Sequence, residues 1–214
     1  MSVATAPVLS LAPTPEPVAP MFRLSVNQYH AIVTAGILTE NDPVELLEGC
    51  LITKMAKNPS HARSTGYLFD ALIRLLPLGW HLVVQDPITL ADSEPEPDIT
   101  IVRGSRDDYP GRHPEPNEIA LVIEVADSSL SIDRKWKKRL YAAAGIPAYW
   151  VVNLPDKVIE VYTKPSGSAA SAEYQHQQDY GLADTLPFIL DDQPIGNLAV
   201  AQLLRSITLT RKKN

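Results

Sequence analysis

The spacing of apolar residues predicts an alternation of helices and strands in the first half of the chain. Ser25, with a glutamine three residues on, has the pattern of a capping box and starts a helix that ends near Gly36. Residues 44–55 predict two strands joined by a turn, and leucines at helical spacing predict a second helix over about residues 60–76. The run at residues 80–90 is strand-like.

The second half of the chain carries the most continuous apolar run, at residues 118–126, which is typical of a buried central strand. A helix is predicted over about residues 132–144 and another over 195–204, with a small-residue loop at 167–173. Further strands are predicted over residues 99–102, 149–154 and 158–163. Strands and helices in this order predict an α/β (α+β) fold with a mixed central sheet flanked by helices.

Length and composition predict one soluble domain with short extensions. Of the 214 residues, we assign 22–210 to the domain, 1–21 to a disordered Pro/Ala-rich leader and 211–214 to a basic tail. No segment has the length and apolarity of a membrane span. The single cysteine, Cys50, cannot form an internal disulfide; we expect it to be buried in a protein of the reducing cytoplasm.

Charge is unevenly distributed along the chain. The formal net charge of −6 argues against a sequence-independent DNA coat, whose affinity depends on Lys and Arg neutralising phosphates. It leaves room for an enzyme that touches nucleic acid locally. Convergence of a basic and an acidic stretch would suit a site for a metal and a phosphate; the basic stretch contains Arg134, Lys135, Lys137, Lys138 and Arg139, and the acidic one Asp92, Glu94, Glu96 and Asp98.

Two carboxylates stand out because they border or interrupt apolar strands. Asp98 precedes the apolar run at 99–102, and Glu124 lies inside the run at 118–126. Buried charges need partners, and carboxylates are hard oxygen ligands for divalent cations. The alternatives are a turn aspartate at position 98 and a salt-bridged structural glutamate at position 124.

Four separated segments resemble, in order, the Uma-two family of bacterial restriction-endonuclease-like proteins. They are residues 44–49 (Val-Glu-Leu-Leu-Glu-Gly), 97–99 (Pro-Asp-Ile), 122–129 and 133–152. The resemblance implies a PD-(D/E)XK nuclease core that uses Mg²⁺ or Mn²⁺. It implies Asp98 and Glu124 as metal ligands, and the backbone carbonyl of Val125 is a further candidate oxygen ligand.

The catalytic lysine is less clearly marked. In the commonest pattern of that superfamily it stands two residues after the glutamate, where this chain has Ala126. The resemblance places it on the following helix at Lys137, with Lys135 and Lys138 as competitors. On a helix of 3.6 residues per turn, Lys137 shares a face with Asp133, which favours Lys137.

Three further residues are candidates for the site. Glu45 and Glu48 lie in the family-like segment at 44–49, and either one is a candidate acidic contact to the metal; for Glu48 a role as a turn residue is an equal alternative. His61, at the start of the second predicted helix, resembles a family position where histidine is frequent. A structural role for that histidine is the more common one.

The leading hypothesis is therefore a Mg²⁺- or Mn²⁺-dependent DNA endonuclease, and the analogy with endonucleases that cut duplex DNA suggests a homodimer. Asp98, Glu124 and Lys137 would be the catalytic residues. Ala126 and the negative net charge keep a second hypothesis open, a nuclease-like fold that binds nucleic acid or a partner without cleavage. A third, an interaction protein of the toxin–antitoxin type, rests on the proline-rich leader.

Overall fold

The structure, a computed structural model, describes residues 21–39 and 41–205. The predicted leader, apart from its last residue, and the predicted basic tail lie outside the described residues. Within the part of the chain that is described, no helix combines the length and the apolar character that crossing a membrane requires.

The described chain contains both helices and strands, and its C-terminal part is mostly strands. In order they are α1 (Val26–Thr34), β1 (Val44–Leu47), β2 (Cys50–Thr53), α2 (Pro59–Leu75), β3 (Trp80–Val84), β4 (Ile99–Arg103), β5 (Ile119–Ala126), α3 (Leu130–Ile132), a π-helical turn (Asp133–Lys137), α4 (Lys138–Ala143), β6 (Ala148–Asn153), β7 (Val158–Ser166), β8 (Glu173–Gly181), β9 (Thr185–Leu190), β10 (Gln193–Ala199) and α5 (Val200–Leu203). We call the continuous segment from α3 to α4 the α3–α4 helix.

A six-stranded mixed sheet forms the centre of the fold, in the order β3-β4-β5-β6-β7-β8. Its neighbouring strands are antiparallel except β5 and β6, which are parallel. Parallel neighbours need a crossover connection, and the α3–α4 helix supplies it. The predicted fold, a mixed sheet flanked by helices, is confirmed.

Both faces of the sheet are covered, so β5 is buried along its whole length. On one face Ile123 belongs to a core that includes Leu68 of α2 and residues of the β9–β10 hairpin. On the other, Val122 belongs to a core that includes Tyr141 of the α3–α4 helix and residues of the β1–β2 hairpin. Because side chains alternate along a strand, Glu124 faces the same side as Val122.

The local signals in the first half of the sequence correspond to the observed elements, except that the strand predicted over residues 80–90 ends at Val84. The Ser25 hydroxyl accepts a hydrogen bond from the Gln28 N–H, and the Gln28 side chain accepts one from the Ser25 N–H, so the capping box is confirmed. The β1–β2 turn has φ values of 47° at Glu48 and 75° at Gly49. A Cβ on Gly49 would lie 2.6 Å from that of Arg23, so only glycine fits this turn.

The prediction of a helix over residues 195–204 is wrong for most of that range. Residues up to Ala199 form β10, and only α5 is helical. The hairpin turn between β9 and β10 is made by Asp191 and Asp192, both with positive φ, a conformation that aspartate tolerates. The strand packs on α2, where Leu75 lies against Gly196.

Two further features of the structure differ from the sequence prediction. Strand β8 was not predicted, because it is an edge strand whose only buried residue is Tyr174 and which therefore lacks apolar alternation. Cys50 was expected to be buried but is only partly so; the Arg23 guanidinium contacts its sulfur at 3.4 Å.

A buried carboxylate on β7 anchors the start of the α3–α4 helix to the sheet. Glu160 is 1% exposed and accepts hydrogen bonds from the Arg134 guanidinium at 2.6 and 3.0 Å. The Asn153 amide and the Tyr162 hydroxyl donate to it at 2.9 and 2.6 Å. Burial would raise the pKa of Glu160, but these donors outweigh it and lower the pKa.

We expect Glu160→Ala to lower the free energy of unfolding by about 3 kcal/mol or more, because it leaves buried donors unpaired. Glu173→Ala, which removes an exposed carboxylate from the neighbouring strand β8, should change it by less than about 0.5 kcal/mol. Urea unfolding at pH 7 measures both. Equal stability of the two variants would contradict a structural role for Glu160.

Candidate active site

Asp98 and Glu124 face one cavity at the end of the pairing between β4 and β5. The register pairs Ile99 with Ile123. Continuing it by one residue places Asp98 opposite Glu124, and opposite residues of an antiparallel pair point to the same face. Each carboxylate residue is 4% exposed, and both line a cavity of about 70 Å³, with room for more than one water molecule.

Four donors surround the Asp98 carboxylate. One oxygen accepts hydrogen bonds from the Val125 backbone N–H at 2.8 Å and from His61 Nε2 at 2.9 Å. The other lies 3.3 Å from Gln85 Nε2 and 3.9 Å from Lys57 Nζ. Burial opposes ionisation, but these contacts outweigh it and lower the pKa of Asp98. Asp98 is therefore ionised at neutral pH.

Glu124 has the opposite electrostatic environment. Its Oε1 accepts hydrogen bonds from the Tyr141 hydroxyl at 2.7 Å and from Lys137 Nζ at 3.1 Å. Burial, together with the nearby carboxylates of Asp133 and Asp98, raises the pKa of Glu124 to about 8, and Lys137 only partly offsets this. Two facing carboxylates thus have pKa values shifted in opposite directions.

The ammonium of Lys137 bridges two carboxylates from different elements. Its Nζ lies 3.1 Å from Glu124 on β5 and 3.1 Å from Glu45 on β1. Burial of Lys137 would lower its pKa, but the carboxylates of Glu124, Glu45 and Asp133 outweigh burial and raise it. Lys137 is accordingly a permanent cation in the site.

The π-helical turn positions this lysine. The Lys138 N–H bonds to the Asp133 carbonyl five residues back, the spacing that defines a π turn. Asp133, Lys137 and Tyr141 are all buried on the side of the helix that faces Glu124. Burial raises the pKa of Asp133 to about 6 although Lys137 opposes the shift, and Asp133 Oδ2 has no hydrogen-bond partner among the described residues.

The two glutamates of the β1–β2 hairpin have different positions. Glu45 lines the cavity, and its second oxygen accepts a hydrogen bond from the Glu96 N–H at 3.2 Å. The Glu48 carboxylate instead binds Trp136 Nε1 at 2.9 Å and the Arg139 guanidinium at 2.8 Å. The structure therefore separates Glu48 from the cavity and gives it a role in holding the hairpin against the α3–α4 helix.

Most of the other basic residues of the α3–α4 helix are engaged away from the cavity. Lys138 lies over the Tyr162 ring at 4.9 Å, and Lys135 is exposed. Arg134 and Arg139 form ion pairs with glutamates outside the cavity. Of the three competing lysines, only Lys137 contacts Glu124.

The structure adds three residues that the sequence did not assign to the site. Tyr141 was expected to be an ordinary core residue, although its position four residues after Lys137 indicates the same helix face. Gln85 and Lys57 had no local signal, because the folded chain brings them to Asp98 from outside its own strand.

Metal binding at this cavity would rest mainly on two carboxylates. The described residues contain no group of three or more His, Cys, Asp or Glu side chains arranged to hold a metal ion. Asp98 and Glu124 supply hard oxygens, and Val125 also lines the cavity. Mg²⁺ is commonly held by one or two protein carboxylates together with water and substrate phosphate, so this donor set suits it.

Comparisons with known proteins agree with this architecture. The crystal structure of a "putative nuclease belonging to DUF820" from Anabaena variabilis ATCC 29413 superposes with a TM-score of 0.62 at 16% sequence identity. The alignment covers 85% of this chain and 97% of that one, and it shows a shared fold. A search of curated proteins found no match. The sequence model of the Uma2 family, described as "Putative restriction endonuclease", matches residues 26–193, and the chain therefore belongs to this family.

Proposed function

We propose that the protein is a Mg²⁺- or Mn²⁺-dependent endonuclease that hydrolyses phosphodiester bonds of DNA. One observation carries this proposal. A buried ammonium, that of Lys137, lies 3.1 Å from the Glu124 carboxylate, and Glu124 shares a cavity with the ionised carboxylate of Asp98. Carboxylates are ligands for Mg²⁺, and a cationic donor stabilises the charge that develops on a phosphate under attack.

Asp98 and Glu124 would hold the metal ion. When bound, the ion polarises the scissile phosphate and lowers the pKa of a water molecule. Asp98 is prepared for ligation, because the Val125 N–H and His61 fix the orientation of an already ionised carboxylate. His61 is thus a positioning residue for Asp98.

Lys137 would act as a charged hydrogen-bond donor. Its raised pKa excludes a general-base role at neutral pH, because a base must be unprotonated. Its ammonium would orient the attacking water and stabilise the charge that develops on the phosphate oxygens. Glu45 contributes by contacting the same ammonium from β1.

The family description and the resemblance of the four segments support DNA as the substrate. A homodimer that cuts both strands of a duplex, and a cytoplasmic location, stay predictions. The binding-only alternative was motivated by Ala126, the position where the commonest pattern has lysine. Lys137 reaches Glu124 from the neighbouring helix and supplies an equivalent amine, which favours the enzyme.

We expect the wild-type protein to nick or linearise plasmid DNA with Mg²⁺ or Mn²⁺, and Asp98→Ala to lower the rate at least about 100-fold, because loss of a ligand removes several kcal/mol of charge stabilisation. Asp179→Ala, which removes an exposed aspartate from β8, is the matched control and should cleave normally. Equal rates for wild type and Asp98→Ala would refute the assignment. An inactive wild type would favour the binding-only alternative.

Lys137→Gln should abolish most cleavage while Mn²⁺ binding is retained, because it removes the ammonium and leaves the carboxylate oxygens in place. Lys135→Gln changes an exposed lysine on the same helix and should leave the rate within about twofold of wild type. Calorimetric titration with Mn²⁺ and thermal melting separate loss of chemistry from loss of fold. The assignment is wrong if Lys135→Gln is the inactive variant.

We expect Mn²⁺ binding at pH 7 to release about one proton, because Glu124, with a pKa of about 8, is mostly protonated there and must ionise to bind the ion. Affinity should accordingly rise with pH and level off above pH 8, and proton release should vanish near pH 9. Calorimetry in two buffers of different ionisation enthalpy measures the proton count. Asp179→Asn should leave it nearly unchanged, since Asp179 is exposed on β8 and does not line the cavity. Release of the same number of protons by the wild type at pH 7 and at pH 9 would contradict this prediction.

A further inference from the structure

Two grooves of opposite charge meet the candidate active-site cavity. The larger, about 1070 Å³, shares Lys54 and Glu96 with the cavity and extends past α1; we call it the acidic groove. The smaller, about 330 Å³, shares Asp127 with the cavity and lies beside the first turns of α2; we call it the basic groove. Both grooves adjoin the cavity that contains Asp98, and they differ in the charge that they present to a DNA strand.

The acidic groove is unsuited to a phosphate backbone. Its cations are already neutralised, Lys54 by Glu96 at 2.7 Å and Arg112 by Glu118 at 2.6 Å. Nucleic-acid affinity comes largely from cations that neutralise phosphates, and here carboxylates exceed the cations. The acidic residues lining this groove are Asp42, Asp86, Glu94, Glu96 and Glu115.

The basic groove has the reverse balance. It is lined by Arg63, Lys157 and Arg205, with Asp127 as its single acidic residue. None of the three cations forms an ion pair with a carboxylate in the described chain, whereas Arg103, Arg112, Arg134 and Arg139 all do. The Asp127 carboxylate accepts a hydrogen bond from the Asn58 side chain. Among the described residues, cationic charge beside the cavity is thus left unpaired.

Three different elements present these cations. Arg63 lies on the second turn of α2, and Lys157 in the tight turn between β6 and β7, with a φ of 56°. Arg205 follows α5, and its guanidinium lies over the Tyr67 ring at 5.5 Å. Ser60 and Ser64 on α2 add hydroxyl donors to the lining. Hydroxyls and basic side chains are the groups that contact phosphate and sugar in nucleic-acid complexes.

We propose that the basic groove binds the phosphodiester backbone of the DNA strand next to the scissile phosphate, through Arg63, Lys157 and Arg205. This inference rests on the proposed function and specifies the side from which the substrate enters. It reconciles a net charge of −6 with a polyanionic substrate, because the contact is confined to one groove. These contacts go to the phosphodiester backbone, so the contribution of this groove to binding is independent of base sequence.

The test compares two charge-matched double variants in the Asp98→Ala background, which keeps the DNA intact. The groove variant is Arg63→Ala with Lys157→Ala. The control is Lys135→Ala with Lys164→Ala, which removes two exposed lysines that line neither groove. Fluorescence anisotropy with single-stranded and duplex oligonucleotides gives Kd over a range of salt concentrations. Thermal melting confirms that each variant is folded.

We expect the groove variant to raise Kd at least about tenfold at low salt and to reduce the slope of log Kd against log salt by about one to two. The control should change Kd by less than about twofold. Equal weakening in both variants would show a general charge effect and overturn the proposal, as would the absence of DNA binding by the parent protein.

The plasmid cleavage assay distinguishes failure of the basic-groove proposal from failure of the proposed nuclease activity. Cleavage by the wild type together with unchanged binding by the groove variant would refute the basic groove and leave the nuclease intact. Selective weakening of binding in a protein that never cleaves would support the groove and refute the catalytic assignment.

Discussion

The contact of one buried ammonium with two carboxylates is the interaction on which the rest of the structure depends. Lys137 on the α3–α4 helix joins Glu45 from the β1–β2 hairpin to Glu124 from the central strand β5. Removing one partner of a buried ion pair commonly lowers the free energy of unfolding by about 3–5 kcal/mol. The same contact therefore stabilises the candidate active site and the packing of the β1–β2 hairpin and the α3–α4 helix on one face of the sheet.

Negative charge exceeds positive charge in this cavity, and that excess gives the site its chemistry. Burial has different consequences for two of the carboxylates. Hydrogen-bond donors keep Asp98 ionised, whereas burial favours the protonated form of Glu124. A divalent cation would relieve the imbalance, because it replaces a proton with a stronger counter-charge. The carboxylates concerned are Glu45, Asp98, Glu124 and Asp133.

The sequence predicts the core of this fold well because the core elements carry local signals. The capping box at Ser25 and the continuous apolar run of β5 each indicate their own structure. The C-terminal strands lack such signals: β8 is an exposed edge, and β10 has apolar residues at helical spacing, Ile195 and Leu198, although it is a strand. Proximity of Asp98, Glu124 and Lys137 followed from the family resemblance. The sequence does not indicate the donors Gln85 and Lys57, because only tertiary contacts bring them to Asp98.

The π turn makes the spacing of residues along this helix part of the site. It places one more residue in the turn than an α-helix holds. Deleting a single residue between Asp133 and Lys137 would turn the hydrogen bond of this turn into an ordinary α-helical one, and the helix after it would keep its faces. Deleting one between Lys137 and Tyr141, where the helix is α-helical, would rotate everything after it by about 100°. Tyr141 would then swing away from Glu124, although no residue that touches the cavity had been replaced. The number of residues between Lys137 and Tyr141 is thus as constrained as the identity of the lysine.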